Sequence, residues 1–166
     1  MLRRGATLIE RDLGKEPLSE TELRDLIDER DPREFLNVAT ALHTGPQEAQ
    51  RRTAVSRAYY ALYLATHEIL AAEGLPFTGL GQDHRLVPDY LRASGNAGAQ
   101  SVADALRDLL NDRIEADYRM RVTRFNQATC ALILAKARMH LATVDAWDAA
   151  ARGALATRIK AARGLP

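Results

Sequence analysis

The sequence predicts an all-α protein, an up-and-down helical bundle of four main helices with short extra helices near the N-terminus and in one loop. Three observations carry that prediction. The composition is 46% apolar but only 5% aromatic, with alanine and leucine prominent, which suits amphipathic helices better than a sandwich or barrel. Apolar residues recur at helical spacing over four long stretches. Between most of those stretches, glycine and proline supply stops. A chain of 166 residues is long enough for one compact domain with a sizeable core and short for two.

Residues 1–31 read as a polar N-terminal extension holding one short amphipathic run. Ser19 and Glu22 make a capping-box signature ahead of Leu23, Leu26 and Ile27, which predicts a short helix over about 20–30. A second start follows, with Asp31 as N-cap, Pro32 in the first helical position and Glu34 at N3. Phe35, Val38, Ala39 and Leu42 then share a face, and Thr44-Gly45-Pro46 ends a helix predicted over 32–44. From Gln47 to Glu73 no glycine or proline intervenes, and Val55, Ala58, Tyr59, Leu62, Ala65, Thr66 and Ile69 recur at helical spacing. This predicts the longest helix, over 47–73, ended by Gly74.

Glycines and prolines punctuate 74–100, so this stretch reads as a loop with at most one short helix around His84–Arg92, against which Pro88 argues. A third main helix is predicted over 99–119 and a fourth over 122–150. Residues 151–166 contain no acid but carry Arg152, Arg158, Lys160 and Arg163; they either extend a helix or fray, and read as a solvated basic tail. The bundle proper is therefore expected over 32–150.

Charge and cysteine usage narrow the functional classes. With 23 Lys+Arg against 22 Asp+Glu, whole-molecule attraction cannot argue for nucleic-acid binding, so any basic site must be local. A lone cysteine, Cys130, excludes an intrachain disulfide and a multi-cysteine zinc site. It fits a reducing cytoplasm. The first ten residues lack the apolar core of a signal peptide, and no stretch approaches 18 apolar residues, so a cytoplasmic protein with no membrane contact is expected. The sequence has no phosphate-binding glycine loop, no His-Glu-x-x-His pair and no nucleophile elbow. No metal and no cofactor is expected.

Two polar features interrupt the apolar faces. A 100° step per residue puts Val102, Leu106, Leu109, Arg113, Ala116 and Met120 in one stripe of the third helix, with Arg113 in its middle. A guanidinium there needs acceptors, and Asp117, one turn on, is the local carboxylate, with Tyr118 next to it. On the longest helix Ser56, Tyr60, Tyr63 and His67 form a polar stripe beside the apolar face, flanked by Arg57. These tyrosines either pack at the bundle edge with satisfied hydroxyls, or share a polar pocket with the Arg113 end of the third helix. His84, in the loop between the two helices, could close such a pocket.

Ser56-Arg57-Ala58-Tyr59-Tyr60-Ala61-Leu62-Tyr63 on a long second helix resembles the second helix of prokaryotic HEPN-domain proteins. A Gly-rich loop with a histidine, Gly79 to His84, follows in the same order. Arg113-Ile114-Glu115-Ala116-Asp117-Tyr118 is then similar to the Arg-x-x-Ala-Asp-Tyr element that ends the third helix in one branch of that superfamily. The resemblance covers roughly 33–142. It implies a dimerising helical bundle of a toxin–antitoxin or phage-defence type system, acting on or binding RNA, in many members as a metal-independent endoribonuclease. It also implies, as a partner, a nucleotidyltransferase-like protein.

Active members carry an Arg-x(4–6)-His motif, which this sequence lacks: Arg33, Arg57 and Arg138 lie ten, ten and two residues before the nearest histidine. On the first expectation Arg113, His84 and Tyr118 are catalytic, and Arg57, Tyr60 and Asp117 bind the ligand. The other is a non-catalytic helical module that binds a nucleotide or protein through the same pocket. A third treats Arg113 and Asp117 as a buried pair that only fixes the bundle.

Overall fold

The computed structural model describes residues 31–166, and its regular elements are all α-helices. Helix α1 spans Arg33–Leu42, α2 Glu48–Ala72, α3 Asp83–Ala93, α4 Ala97–Tyr118, α5 Gln127–Asp145 and α6 Ala149–Arg163. The N-terminal extension, with the helix expected over 20–30, lies outside the described residues.

Polar side chains begin most of these helices. The Asp31 carboxylate accepts the Arg33 N–H at 2.9 Å, so Asp31 caps α1 with Pro32 beside it. Gln47 and Gln50 form a reciprocal capping box on α2. Asn96, Asn126 and Asp148 accept from the N–H of Ala99, Thr129 and Ala151. Each cap satisfies one of the backbone donors a helix start leaves unpaired. Two helices end alike. Gly74 and Gly164 adopt left-handed backbone (φ 78° and 62°), and the next residues, Leu75 and Leu165, return their N–H to Leu70 and Lys160. A side chain at either glycine would be strained in that conformation.

Helix α2 is the axis of the fold, because it packs against all five other helices. It is accordingly buried on several sides, with 12 of its 25 residues inaccessible, instead of showing one apolar stripe. Val55, Ala58 and Leu62 of α2 meet Val102, Leu106 and Leu109 of α4 and Leu134 and Val144 of α5 in a single core. Buried alanines on all three helices let the backbones approach closely, which accounts for a core with few aromatic rings.

The short helix expected in the loop forms, while two other elements depart from the sequence expectation. Helix α3 forms despite Pro88, whose ring removes the N–H that the His84 carbonyl would accept, at a cost of about 3 kcal/mol. Burial of Val87, Pro88, Tyr90 and Leu91 offsets that cost. The stretch 122–150 is not one helix: Val122–Asn126 is non-helical with Phe125 buried, and the chain breaks again at Ala146–Asp148. The basic segment 151–166 belongs almost entirely to α6, whose Leu155, Ala156 and Ile159 are buried where the helix meets α3 and α2. Among the described residues no helix is long and apolar enough to cross a membrane.

Consecutive arginines of α2 tie the loops to this frame. Arg51 donates to the carbonyls of Gly45, Pro46 and Phe125 at 2.8–2.9 Å. Arg52 is buried, stacks on Phe125, and donates to the carbonyls of Ala116 (2.9 Å), Glu115 (3.2 Å) and Val122 while pairing with Glu48 at 2.7 Å. It therefore caps the negative end of α4 with a positive charge. That fixes where α4 stops, and so where Asp117 and Tyr118 stand.

Candidate functional site

The tyrosine-rich side of α2 meets the last turns of α4, the start of α3 and the first turn of α1. Sequence reasoning assigned six residues to this region, and the fold gathers them around Tyr60. The Arg113 guanidinium lies over the Tyr60 ring at 5.6 Å and beside the Tyr118 ring at 5.4 Å, and its Nη2 donates to the Tyr60 hydroxyl at 3.3 Å. Arg57 approaches the same Tyr60 ring at 5.8 Å and the Phe35 ring at 5.4 Å. Both distances fall in the range over which a guanidinium is attracted to an aromatic face.

Asp117 is the carboxylate of this cluster. Its Oδ2 sits 2.8 Å from Arg113 Nε and accepts from the Ser56 hydroxyl at 3.3 Å. Arg113 Nε is nevertheless without an aligned hydrogen bond, so the contact is an ion pair whose N–H is not pointed at the oxygen. Side-chain exposures of 19% for Arg113 and 26% for Asp117 place the pair at the rim of the bundle, not in its core. Met120, assigned by periodicity to the Arg113 stripe, lies past the end of α4 and is exposed.

His84 enters from the first turn of α3. Its Nδ1 is 2.6 Å from the Tyr59 hydroxyl, and its ring packs 4.3 Å from Tyr63 and 6.1 Å from Tyr60. Burial lowers the His84 pKa, and the nearby Arg113 charge lowers it further, so the imidazole is neutral at neutral pH. Burial and the neighbouring phenols raise the Tyr59 pKa, while burial pushes Tyr63 up to about 12. Tyr59 thus keeps its proton and, having no other acceptor among the described residues, donates it to Nδ1. This network assigns the His84 proton to Nε2.

Asp83, next to His84, fastens the loop that leads into α3. Its carboxylate accepts from the Thr78 hydroxyl at 2.7 Å and from the Thr78 and Gly79 N–H groups at 2.8–3.2 Å. Burial opposes ionisation, but these bonds outweigh it and hold Asp83 below its usual pKa. His67 and Phe77 continue the aromatic cluster at 4.1 Å, and burial lowers the His67 pKa.

Sequence reasoning missed three contributors. Tyr59 reads as plain core, yet its hydroxyl sets the His84 tautomer. Asp83 and the guanidinium end of Arg52 are held mainly by backbone groups that loops bring near, so only the i,i+4 pair of Arg52 with Glu48 could be read from spacing. The signal that succeeded was helical spacing, which put Tyr60 and Arg113 each on a polar interruption of an apolar face; the fold brings the two together.

The arrangement offers two guanidiniums and a neutral imidazole N–H around one phenol, with one carboxylate in ion-pair contact. Asp83, next to His84, adds a second carboxylate whose oxygens are taken by Thr78 and Gly79, so among the described residues Arg57 is the cation of this cluster with no carboxylate in ion-pair contact. Among the described residues no group of three or more His, Cys, Asp or Glu side chains is placed to hold a metal ion. In comparisons with known proteins, no family model, no curated protein and no solved structure matches this chain.

Proposed function

We propose that this chain is a HEPN-like protein of the toxin–antitoxin or phage-defence type that engages RNA through its Tyr60 face. One observation carries the reading: Arg57 and Arg113 flank the same tyrosine ring while Asp117 neutralises only one of them. A phosphate is the natural occupant of such a site, since guanidiniums recognise its oxygens bidentately. The Arg-x(4–6)-His motif is absent from the sequence, but Arg113 and His84 meet across Tyr60.

The two histidine nitrogens bear on catalysis. With Nδ1 accepting from Tyr59, Nε2–H is a donor suited to a phosphate oxygen. Metal-independent endonuclease chemistry also needs a base to take the 2′-hydroxyl proton as that oxygen attacks phosphorus, releasing a 5′-hydroxyl and leaving a cyclic phosphate. His84 serves as that base only after its proton moves to Nδ1. Binding is therefore supported more directly than cleavage, for which Arg113, His84 and Tyr118 are the catalytic candidates.

A second reading, a non-catalytic nucleotide- or protein-binding module partnered with a nucleotidyltransferase-like protein, draws on a different observation. Tyr118 and Met120 are 67% and 69% exposed just where α4 ends, as residues in a protein contact would be. Homodimerisation is part of both readings.

The test is RNA binding by the full chain together with toxicity on expression, for wild type, Arg57→Gln and Arg113→Gln. Loss of binding in both variants with helicity retained supports the reading. A wild-type protein that binds no RNA at low salt sinks it. Cleavage in EDTA that yields 2′,3′-cyclic phosphate ends separates the nuclease from the binding module.

A further inference from the structure

Helices α3 and α4 leave between them a groove of about 280 Å³ that opens beside the tyrosine face, with His84 belonging to both. Its apolar lining is Pro88 and Leu110. Its polar lining is Arg85 and Asp89 from α3 and Arg107 and Asn111 from α4. The nearest approach of Arg107 to Asp89 is 3.7 Å, too long for a hydrogen bond, with side chains 57% and 45% exposed. Both groups therefore retain their donors and acceptors for a ligand. Arg85 is exposed and in no ion pair among the described residues, so the groove carries one more cation than anion.

We propose that this groove is a nucleotide subsite that takes one unpaired residue of an RNA strand, an inference that rests on the RNA reading of the neighbouring tyrosine face. The base lies against Pro88 and Leu110, and its phosphate sits between Arg85 and Arg107. The volume is close to the roughly 300 Å³ at which small-ligand sites begin, which suits a base with its phosphate and excludes a base pair. Apolar walls reward only a base that has left its stack, so the strand is single-stranded here. Asp89 accepts from an exocyclic amino group, which adenine, cytosine and guanine have and uracil lacks. His84 connects the two sites, so a strand bound in the groove has its next phosphate directed to Arg113.

Fluorescence anisotropy on the full chain tests this with an uncleavable 2′-fluoro single strand, its duplex, and oligocytidine against oligouridine. Circular dichroism of each variant checks that helicity is kept. The single strand is expected to bind at least ~10-fold tighter than the duplex. Arg85→Gln with Arg107→Gln should weaken it ~10-fold or more and lower the salt slope by about 0.7, the contribution of the one single-strand phosphate they hold. Asp89→Asn should erase a preference for oligocytidine over oligouridine.

If the double variant binds as wild type while Arg57→Gln and Arg113→Gln abolish binding, the groove subsite is overturned and the RNA reading survives. Equal affinity for duplex and single strand also overturns the subsite alone. Failure of wild type to bind either RNA overturns both. Displacement of the single strand by polyglutamate at equal charge concentration would assign the groove to an acidic peptide instead.

Discussion

Arg52, reaching from α2, and Arg113, on α4 itself, both stand at the last turns of α4, and the fold treats them oppositely. The Arg52 guanidinium is buried and surrounded by backbone carbonyls of 115–122 and by Glu48. The Arg113 guanidinium lies at the rim, held between two phenol rings, with an Nε that points at no acceptor. An arginine whose donors are spent on the backbone is scaffold. One that stays partly exposed at the rim, with only one terminal nitrogen hydrogen-bonded, can take a ligand. A sequence motif cannot separate the two, since both are arginines on helices one contact apart.

The comparison predicts a hierarchy of effects. Arg52→Ala should be the most destabilising, by about 3 kcal/mol or more, because several carbonyls at roughly 1 kcal/mol each lose their donor. A urea melt measures this, and Arg52→Lys should recover only part, since a single ammonium cannot reach the same fork of acceptors. Arg113→Ala should cost about 1 kcal/mol, as expected for a partly exposed pair, while removing RNA binding. If Arg113→Ala proves as destabilising as Arg52→Ala, the Arg113–Asp117 pair is scaffold and the proposed site fails.

Acid should act mainly through the imidazoles. Burial lowers the pKa values of His67, His84 and His140 below the ordinary 6.5, with Arg113 adding to the effect at His84 and Lys136 at His140. As pH falls, the unfolded chain takes up these protons before the folded one does. Stability should therefore be full above about pH 6.5 and decline below it, in melts taken between pH 7.5 and 5. Stability that rises toward pH 5 would show that these rings are not held neutral.

The smallest effect should come from Tyr59→Phe. It removes a single hydrogen bond, worth about 1 kcal/mol, and frees the His84 Nδ1. Imidazole ¹⁵N shifts should then show a mixture of tautomers in place of the Nε2–H form. An unchanged spectrum would mean that Tyr59 does not set the tautomer.

How much of this was legible depended on the range of the interactions. Caps act within three residues, so Asp31-Pro32, Gly74 and the apolar period of α2 could be read directly. The break between α5 and α6 could not, because Ala146-Trp147 contains no glycine or proline and Asp148 announces the new helix only as a single capping residue. Tyr60, Arg113 and Asp117 were named from helical spacing and Arg57, Tyr118 and His84 from their place beside these stripes or in the intervening loop, yet the contacts among them depend on crossings between helices. His84 illustrates the limit: its closeness to Arg113 spans 29 positions of sequence, and nothing local encodes it.

The sequence by itself determined the helical class, the long buried helix and the stripes on which Tyr60 and Arg113 each lie, because periodicity and capping are properties of neighbouring residues. Only the tertiary structure decided that Pro88 sits inside a helix, that the basic C-terminal segment is a packed helix, and which arginine is scaffold. Those outcomes turn on burial. Enough apolar surface is covered at α3 and α6 to outweigh a missing hydrogen bond and a run of charge. The fate of a guanidinium, likewise, is set by which carbonyls the loops bring within reach.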